Sequence, residues 1–245
     1  MKIDIGSFSV WLFDMDGVIT NTASLHARAW KAMFDSYLKD HATRTNTDFV
    51  PFDVEQDYHH YVDGKPRYEG VDCFLRHRGI VLPFGSPEDP AQTETVCGLG
   101  NRKNIEVNRE LEANGAEVYP SSVELVRRLK TMGKKVAIVT SSKNCDVILN
   151  AAKIKGLFDV QVDGVVAAQR NIPGKPQPDT YVEAARLLGF TPDQAVVVED
   201  ALSGVQAGRA GRFGLVLGVD RVGNAAALLE NGADVVVKDL GEVQI

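Results

Sequence analysis

The chain has 245 residues and a formal net charge of −6, and 44% of its residues are hydrophobic. A chain of this length and composition can bury a large core, alone or with a smaller second domain, and is not expected to be disordered. The acidic charge argues against nucleic acid or an anionic membrane as the main partner, so neither is expected.

Cysteine usage and hydropathy indicate the compartment. The three cysteines, Cys73, Cys97 and Cys145, are well separated, and the sequence has neither a disulfide framework nor a zinc-ligand spacing. The amino-terminal residues show no signal-peptide pattern, and no apolar run approaches the length that spans a bilayer. We therefore expect a soluble cytoplasmic protein. A monomer is also expected.

Six apolar runs rich in β-branched residues are predicted as strands, with helical segments between most of them. The predicted strands are residues 9–13, 136–140, 162–168, 195–198, 214–219 and 235–238. The predicted helices between the later strands are residues 122–132, 144–155, 179–188, 204–210 and 224–230. This alternation indicates an α/β fold with a Rossmann-like, doubly wound parallel sheet covered on both faces. Such sheets place their chemistry at the carboxyl ends of the strands.

The alternation is interrupted after the first strand, because no further strand of this type appears before residue 136. The intervening residues have mostly helical spacing, with helices predicted over 70–78 and 102–114 and a loop rich in turn residues over 83–90. We predict an inserted α-helical domain over residues 22–115, lying over the carboxyl-end face of the sheet. The core is then formed by residues 1–21 and 116–245.

The pair Asp14 and Asp16 directly follows the first predicted strand. Two carboxylates this close repel each other unless a cation or a shared proton compensates, and a hard divalent ion is the natural compensation. A carboxylate held in this way can also attack phosphorus and form an aspartyl-phosphate. The pair therefore predicts a phosphoryl-transfer site with a magnesium ion.

Three further motifs follow in the chain. Residues 140–144 (Thr-Ser-Ser-Lys-Asn) come after the second predicted strand, Lys175 lies between prolines, and Glu199 and Asp200 end another strand. Each motif alone has an ordinary structural reading, as a surface turn, a helix cap or a solvated lysine. Three of the four motifs lie at carboxyl ends of predicted strands, however, and this arrangement favours one common site.

These four motifs, in this order, resemble those of the haloacid dehalogenase-like superfamily of phosphatases and phosphomutases, and within it the β-phosphoglucomutase-like subfamily. The resemblance covers the whole chain. Beyond the core motifs, it extends over residues 14–23, 28–30, 102–104, 142–144 and 174–176 together with His26. It implies a core with the fold of that superfamily and an inserted helical cap domain.

The resemblance also implies roles for the matching core residues. Asp14 is the nucleophile and Asp16 the general acid/base, while Thr140 and Lys175 hold the transferring phosphoryl group. The expected cofactor is Mg²⁺, with Asp14, Asp16, Glu199 and Asp200 as the metal site. Asp16 contributes its backbone carbonyl, and Glu199 lies in the inner or outer shell. Ser142, Lys143 and Asn144 contact phosphate or sugar.

In the predicted cap domain, the resemblance implies substrate binding by Thr22, His26, Gly64, Arg67, Lys103 and Asn104. His26 is expected to help position Asp16, and Arg67 to bind the phosphate that is not transferred. The cap also departs from the family pattern, since residues 39–61 are longer and more polar than expected and Pro66 stands beside Arg67. These departures concern the part of the chain that selects the substrate.

The expected function is phosphoryl transfer by a phosphomutase that interconverts β-glucose 1-phosphate and glucose 6-phosphate. A phosphorylated sugar is thus the expected partner. The same core residues also serve a sugar-phosphate phosphatase, in which water attacks the aspartyl-phosphate. A catalytically inactive binding module is a third interpretation, and the intact set of Asp14, Asp16, Lys175 and Asp200 argues against it.

Overall fold

Apolar strands and amphipathic helices form two compact units in a computed structural model that describes residues 7–244. The side chains of Ala23, Ser24, Glu110, Glu112, Ala113 and Asn114 are not described. The core unit comprises Met1–Asn21 and Ala116–Ile245, and the helical unit comprises Thr22–Gly115. The first six residues and the last residue, which we assigned to the core, lie outside the described residues.

The core unit is built on a six-stranded, all-parallel sheet with the order β3-β2-β1-β4-β5-β6. The strands are β1 (Val10–Phe13), β2 (Lys135–Val139), β3 (Val160–Val162), β4 (Ala195–Glu199), β5 (Leu215–Val219) and β6 (Val235–Val237). All four residues of β1 are fully buried, as expected for a strand covered on both faces. The strand order reverses beside β1, which makes its carboxyl end the place where loops diverge and ligands bind.

Six helices accompany these strands. They are α4 (Pro120–Thr131), α5 (Cys145–Ala151), α6 (Gly164–Arg170), α7 (Asp179–Leu187), α8 (Leu202–Ala210) and α9 (Ala225–Glu230). One apolar layer joins alternate residues of β1, Val10 and Leu12, to Tyr181 of α7 and Val205 of α8. The predicted doubly wound α/β fold is therefore confirmed.

The structure corrects the prediction of a strand over residues 162–168. The strand is β3, which ends at Val162, and α6 follows almost at once. The buried Asp163 carboxylate accepts hydrogen bonds from the backbone N–H groups of Val165 and Val166, at 2.9 and 2.8 Å, and so begins the helix. This cap starts a helix that includes Val165 and Val166, although β-branched residues favour strands.

The helical unit contains α1 (Ala23–Thr45), a π-helical turn (Tyr58–Val62), α2 (Arg67–His77) and α3 (Val96–Asn114). Its core is aromatic, with ring centroids 4.3 Å apart for Phe34 and Phe74 and 5.1 Å apart for Phe34 and Phe52. Helix α3 begins six residues before the predicted start at residue 102, because the Thr95 hydroxyl accepts a 2.9 Å hydrogen bond from the Gly98 N–H and caps an earlier turn. In the described part of the chain, no helix has the length and apolar character needed to cross a membrane.

The cap of α6 yields a test of stability. Replacing Asp163 by Ala removes both hydrogen bonds to the first turn, so the free energy of unfolding is expected to fall by about 1 kcal/mol. Asp163→Asn keeps an oxygen that can accept these bonds and is the matched control, with an expected loss of a few tenths of a kcal/mol or roughly none. Urea unfolding followed by circular dichroism measures both, and equal losses in the two variants would contradict the capping role.

Candidate active site

The nucleophile predicted from the sequence lies at the carboxyl end of the central strand. Asp14 directly follows β1, and its backbone N–H donates to the carbonyl of Val198 in β4 at 2.9 Å. Because β1 and β4 are parallel neighbours that end at the same edge, the Asp14 side chain lies beside the residues that end β4. Carboxylate oxygens of Asp14, Glu199 and Asp200 lie within 4.8 Å of one another.

Lys175 is almost fully buried and binds two of these carboxylates. Its ammonium donates to Asp14 Oδ1 at 2.5 Å, to Glu199 Oε1 at 2.6 Å and to the Val139 carbonyl at 3.2 Å. An ammonium has three N–H donors, and these three acceptors use all of them. The ring of Tyr181 lies 4.9 Å from the ammonium and closes another side of it.

Glu199 is held by four hydrogen bonds. Its Oε1 accepts from Lys175 and, at 3.2 Å, from the Tyr181 hydroxyl, while Oε2 accepts from the backbone N–H groups of Asp200 and Ala201, each at 2.8 Å. Gly204 of α8 leaves room for this carboxylate, since a Cβ at that position would lie 1.8 Å from Glu199 Oε1. Glu199 is therefore fixed by its surroundings, whatever else it binds.

Asp16 lies in a tight turn that follows β1, shortly before the chain leaves the core unit at Asn21. The turn is closed by Gly17 N–H donating to Thr20 O at 2.8 Å, and by Thr20 N–H and Oγ donating to Met15 O at 2.8 and 3.1 Å. Gly17 has a φ of +87°, and a Cβ there would lie 1.8 Å from Asp200 Oδ2. Only glycine suits both the backbone conformation and this close approach.

The electrostatics of the cluster favour a bound cation. Burial raises the pKa of the Asp14 carboxyl well above its usual value, with Glu199 and Asp16 raising it further and Lys175 opposing the shift. Burial alone would lower the pKa of Lys175, but Asp14 and Glu199 raise it well above its usual value, so the ammonium stays charged. One ammonium therefore faces several carboxylates. Hard oxygen ligands in a cluster with more carboxylates than ammonium groups suit Mg²⁺, the ion that this site was predicted to bind.

The motif at residues 140–144 forms the turn that leads from β2 to α5. Thr140 is buried, and its hydroxyl accepts from the Ser142 N–H at 3.1 Å, while the Ser142 hydroxyl accepts from the Asn144 N–H at 3.2 Å. Lys143 lies in the same turn. The neighbouring Cys145 is buried, and burial raises the pKa of its thiol far above the usual value, so it is no candidate nucleophile.

Within the helical unit, the structure brings the predicted cap residues together in pairs. The Arg67 guanidinium donates to Asn104 Oδ1 at 2.8 Å, and burial lowers the pKa of Arg67. The Lys103 ammonium lies 3.0 Å from His26 Nδ1 and 4.8 Å from the Trp30 ring. Since an ammonium can only donate, His26 accepts at Nδ1 and carries its ring proton on Nε2. Of the other two predicted cap residues, Gly64 has a φ of +67° and Thr22 is buried.

Two side chains of the site were missed by the sequence analysis. Tyr181 lies in α7, where an aromatic residue among apolar ones is typical of a core position, and nothing in the sequence marks its hydroxyl as a partner of Glu199. Arg221 follows β5 and donates to the Gly17 carbonyl at 2.8 Å. Its distance of 204 positions along the chain from Gly17 leaves no local signal.

Comparison with known proteins identifies the family of the chain. A family model of haloacid dehalogenase-like hydrolases matches residues 8–212. The chain belongs to this family. It is 52% identical over 235 residues to the β-phosphoglucomutase of Mycobacterium bovis, a match that covers 95% of this chain and 90% of the relative. The predicted family is thereby confirmed.

Two further similarities come from a phosphatase and from a solved structure. The phosphorylated carbohydrates phosphatase of Thermotoga maritima is 27% identical, with 93% of each chain covered. The crystal structure of the β-phosphoglucomutase of Clostridium difficile matches with a TM-score of 0.75 at 24% identity, over 97% of this chain and 94% of that one, and it supports the fold. These homologues indicate that the chain is an enzyme, either a phosphomutase or a phosphatase. Family members generally use Mg²⁺, and the acidic cluster is suited to it.

The close contact of Gly204 with Glu199 yields a test of the site. We expect Gly204→Ala to displace the Glu199 carboxylate and, through it, Lys175, because the four bonds of Glu199 leave it little freedom to move. The free energy of unfolding should fall by about 1–3 kcal/mol, as for other overpacked positions, and phosphoryl-transfer activity should fall by roughly 10²-fold, as for a 1 Å misplacement.

The matched control is Gly156→Ala. A Cβ at Gly156 would meet nothing within 4 Å, so its effect on stability should stay within about 0.5 kcal/mol. Thermal unfolding and steady-state kinetics measure both variants. Activity of the Gly204 variant equal to that of the control would show that the Glu199 position is not critical.

Proposed function

We propose that the enzyme interconverts β-glucose 1-phosphate and glucose 6-phosphate through a transient aspartyl-phosphate on Asp14, formed when its carboxylate attacks phosphorus. The observation that carries this proposal is the 52% identity to a β-phosphoglucomutase across nearly the whole chain. It is supported by a buried cluster in which Asp14, Lys175 and Glu199 are joined by short hydrogen bonds. Similarity of this extent makes the same substrate class the first one to test.

The contacts of Asp14 suit it to act as a nucleophile. Burial raises the pKa of the Asp14 carboxyl, and Lys175, which donates to Asp14 Oδ1, opposes that shift and favours the carboxylate form that attacks. In the proposed reaction a carboxylate oxygen attacks phosphorus, the ester P–O bond breaks, and the sugar oxygen leaves. Asp16 gives its proton to that oxygen and later takes a proton from the incoming hydroxyl. A protonated Asp16 is thus needed in one step and an ionised one in the other.

The proposed Mg²⁺ would be held by Asp14, Asp200 and the backbone carbonyl of Asp16. When bound, the ion neutralises negative charge on the carboxylates and on the phosphoryl oxygens. The four hydrogen bonds of Glu199 favour a place in the outer shell, where it orients Lys175. Thr140 and the turn that follows it would hold the phosphoryl oxygens with hydroxyl and N–H groups.

The helical unit is proposed to select the substrate. Arg67 is largely buried and already oriented by its bond to Asn104, and a planar guanidinium can bind a phosphate through two parallel hydrogen bonds. We propose that Arg67 binds the phosphate that is not transferred, together with Lys103 and Asn104. A mutase requires such a second phosphate-binding site, called here the second grip, because its intermediate carries two phosphates. A phosphatase that acts on one phosphate does not require it.

The second candidate function is a sugar-phosphate phosphatase. It is favoured by the similarity to the Thermotoga phosphatase over 93% of both chains. The two functions share the first half-reaction and differ in what attacks the phosphorylated Asp14, a sugar hydroxyl or water.

Product analysis separates the two functions. We expect purified protein with Mg²⁺, β-glucose 1-phosphate and a trace of glucose 1,6-bisphosphate to form glucose 6-phosphate, measured by a coupled dehydrogenase assay. Release of inorganic phosphate should remain a small fraction of turnover. Phosphate release without glucose 6-phosphate would replace the mutase by the phosphatase. Asp14→Asn is the control, and both products should vanish in it.

Replacing Arg67 tests the second grip. Loss of hydrogen bonds to a charged group costs about 1.5–3 kcal/mol, so kcat/KM for the sugar phosphate should fall roughly 10- to 150-fold in Arg67→Ala. Hydrolysis of p-nitrophenyl phosphate, in which the only phosphate is the one transferred to Asp14, should change little. The control is Arg76→Ala in the same helix, whose guanidinium is exposed and pairs with Asp72. Equal losses on both substrates in the Arg67 variant would remove the argument for a second phosphate grip.

A further inference from the structure

Arg221 joins three segments of the core unit that are distant in sequence. Its Nε donates to the Gly17 carbonyl at 2.8 Å. Its guanidinium carbon lies 3.6 Å from the centroid of the Tyr119 ring, and its Nη1 lies 3.3 Å from the Lys238 carbonyl and 3.4 Å from Asp239 Oδ2. The side chain is 13% exposed. Stacking and hydrogen bonding restrict the movement of this guanidinium, and they also restrict the Gly17 carbonyl and the Tyr119 ring that it contacts.

The first of these segments is the turn that carries Asp16. Gly17 follows Asp16 directly, and a Cβ at Gly17 would lie 1.8 Å from Asp200 Oδ2. The Gly17 backbone is therefore close to the Asp200 carboxylate and is also bonded by Arg221. A bond that holds the Gly17 carbonyl also restrains the neighbouring backbone that carries the Asp16 side chain. It thereby restrains the position of Asp16 relative to Asp200, a proposed metal ligand.

The second segment is bonded to the same turn by an independent route. Residues 19–21 pair antiparallel with residues 117–119, through Tyr119 N–H to Ile19 O and Asn21 N–H to Glu117 O, each at 2.9 Å. The Tyr119 hydroxyl also donates to Asn21 Oδ1 at 3.0 Å. Arg221 thus stacks on the side chain of Tyr119, and the backbone of Tyr119 is bonded to Ile19, at the end of the turn that carries Asp16. These are the segments through which the chain leaves and re-enters the core.

We propose that Arg221 is a positioning residue for Asp16, acting through the Gly17 carbonyl and the stacked Tyr119 ring. This inference rests on the proposed function, in which Asp16 transfers the proton. Proton transfer requires the donor and acceptor oxygens to lie within hydrogen-bond reach, and a 1 Å displacement costs on the order of 10²-fold in rate. Arg221 does not touch the reacting atoms, so its removal should slow turnover without weakening substrate binding.

The test compares Arg221→Met with Arg221→Lys. The Met side chain is similar in length to the apolar part of Arg but has no hydrogen-bond donor. We expect kcat to fall roughly 10- to 100-fold, while KM for β-glucose 1-phosphate stays within about threefold of wild type. Lys can still donate to the Gly17 carbonyl but cannot stack as a plane, so it should recover part of kcat. The matched control is Arg186→Met, which removes an exposed arginine paired with Glu183 and should leave kcat unchanged.

Hydrogen–deuterium exchange of the metal-free proteins provides a readout apart from activity. In Arg221→Met, we expect faster exchange in peptides covering residues 15–21 and 117–119, with the strands β2 and β4 unchanged. A wild-type kcat in Arg221→Met, or unchanged exchange at residues 15–21, would overturn the inference. A uniform rise of exchange across the core unit would also overturn it, because it would mean a role in general stability alone.

The result is separable from a failure of the proposed function. If wild-type protein forms no glucose 6-phosphate, the mutase proposal fails on that measurement, while the exchange contrast between Arg221→Met and Arg186→Met still decides whether Arg221 holds the turn. If wild-type protein is active and Arg221→Met matches it, only the positioning role fails.

Discussion

The buried ammonium of Lys175 is the interaction on which the active-site edge of the sheet depends. It joins Asp14 after β1, Glu199 at the end of β4 and the Val139 carbonyl at the end of β2, so three adjacent strands meet at one cation. Withdrawing these charges from water costs several kcal/mol for each ion, and only good geometry with full hydrogen bonding offsets that cost. Lys175 uses all three donors, which is the condition for such a cluster to form.

The arrangement of this edge follows from sheet topology and from close packing around it. Parallel register brings the ends of β1 and β4 side by side, with Phe13 opposite Val198, so the residues that follow converge without a long connection. Two glycines then allow backbone to approach carboxylates, Gly17 beside Asp200 and Gly204 beside Glu199. Each carboxylate is thereby confined by backbone, and backbone moves less than side chains do.

The parts of the site that have a local signal could be predicted from the sequence. Apolar runs followed by Asp14, Thr140 or Glu199 mark strand ends, and their side chains lie where parallel strands require. Residues 163–168 were misassigned because Val165 and Val166 continue the apolar run of Val162 and favour a strand, while the Asp163 carboxylate starts a helix through bonds that composition does not reveal. Tyr181 and Arg221 were missed since their partners, Glu199 and Gly17, are distant in sequence and only the fold brings them near.

The excess of carboxylates over ammonium separates this cluster from a structural ion pair. A pair that served stability alone would need Lys175 and one carboxylate, whereas here the nearby carboxylates of Glu199 and Asp16 both raise the pKa of Asp14. The chain instead holds Asp14, Glu199 and Asp200 within 4.8 Å of one another and keeps them there with backbone N–H donors and glycine contacts. Repulsion held in place by so many specific contacts supports the proposal that the site binds a ligand of positive charge, with Asp14 as the proposed nucleophile.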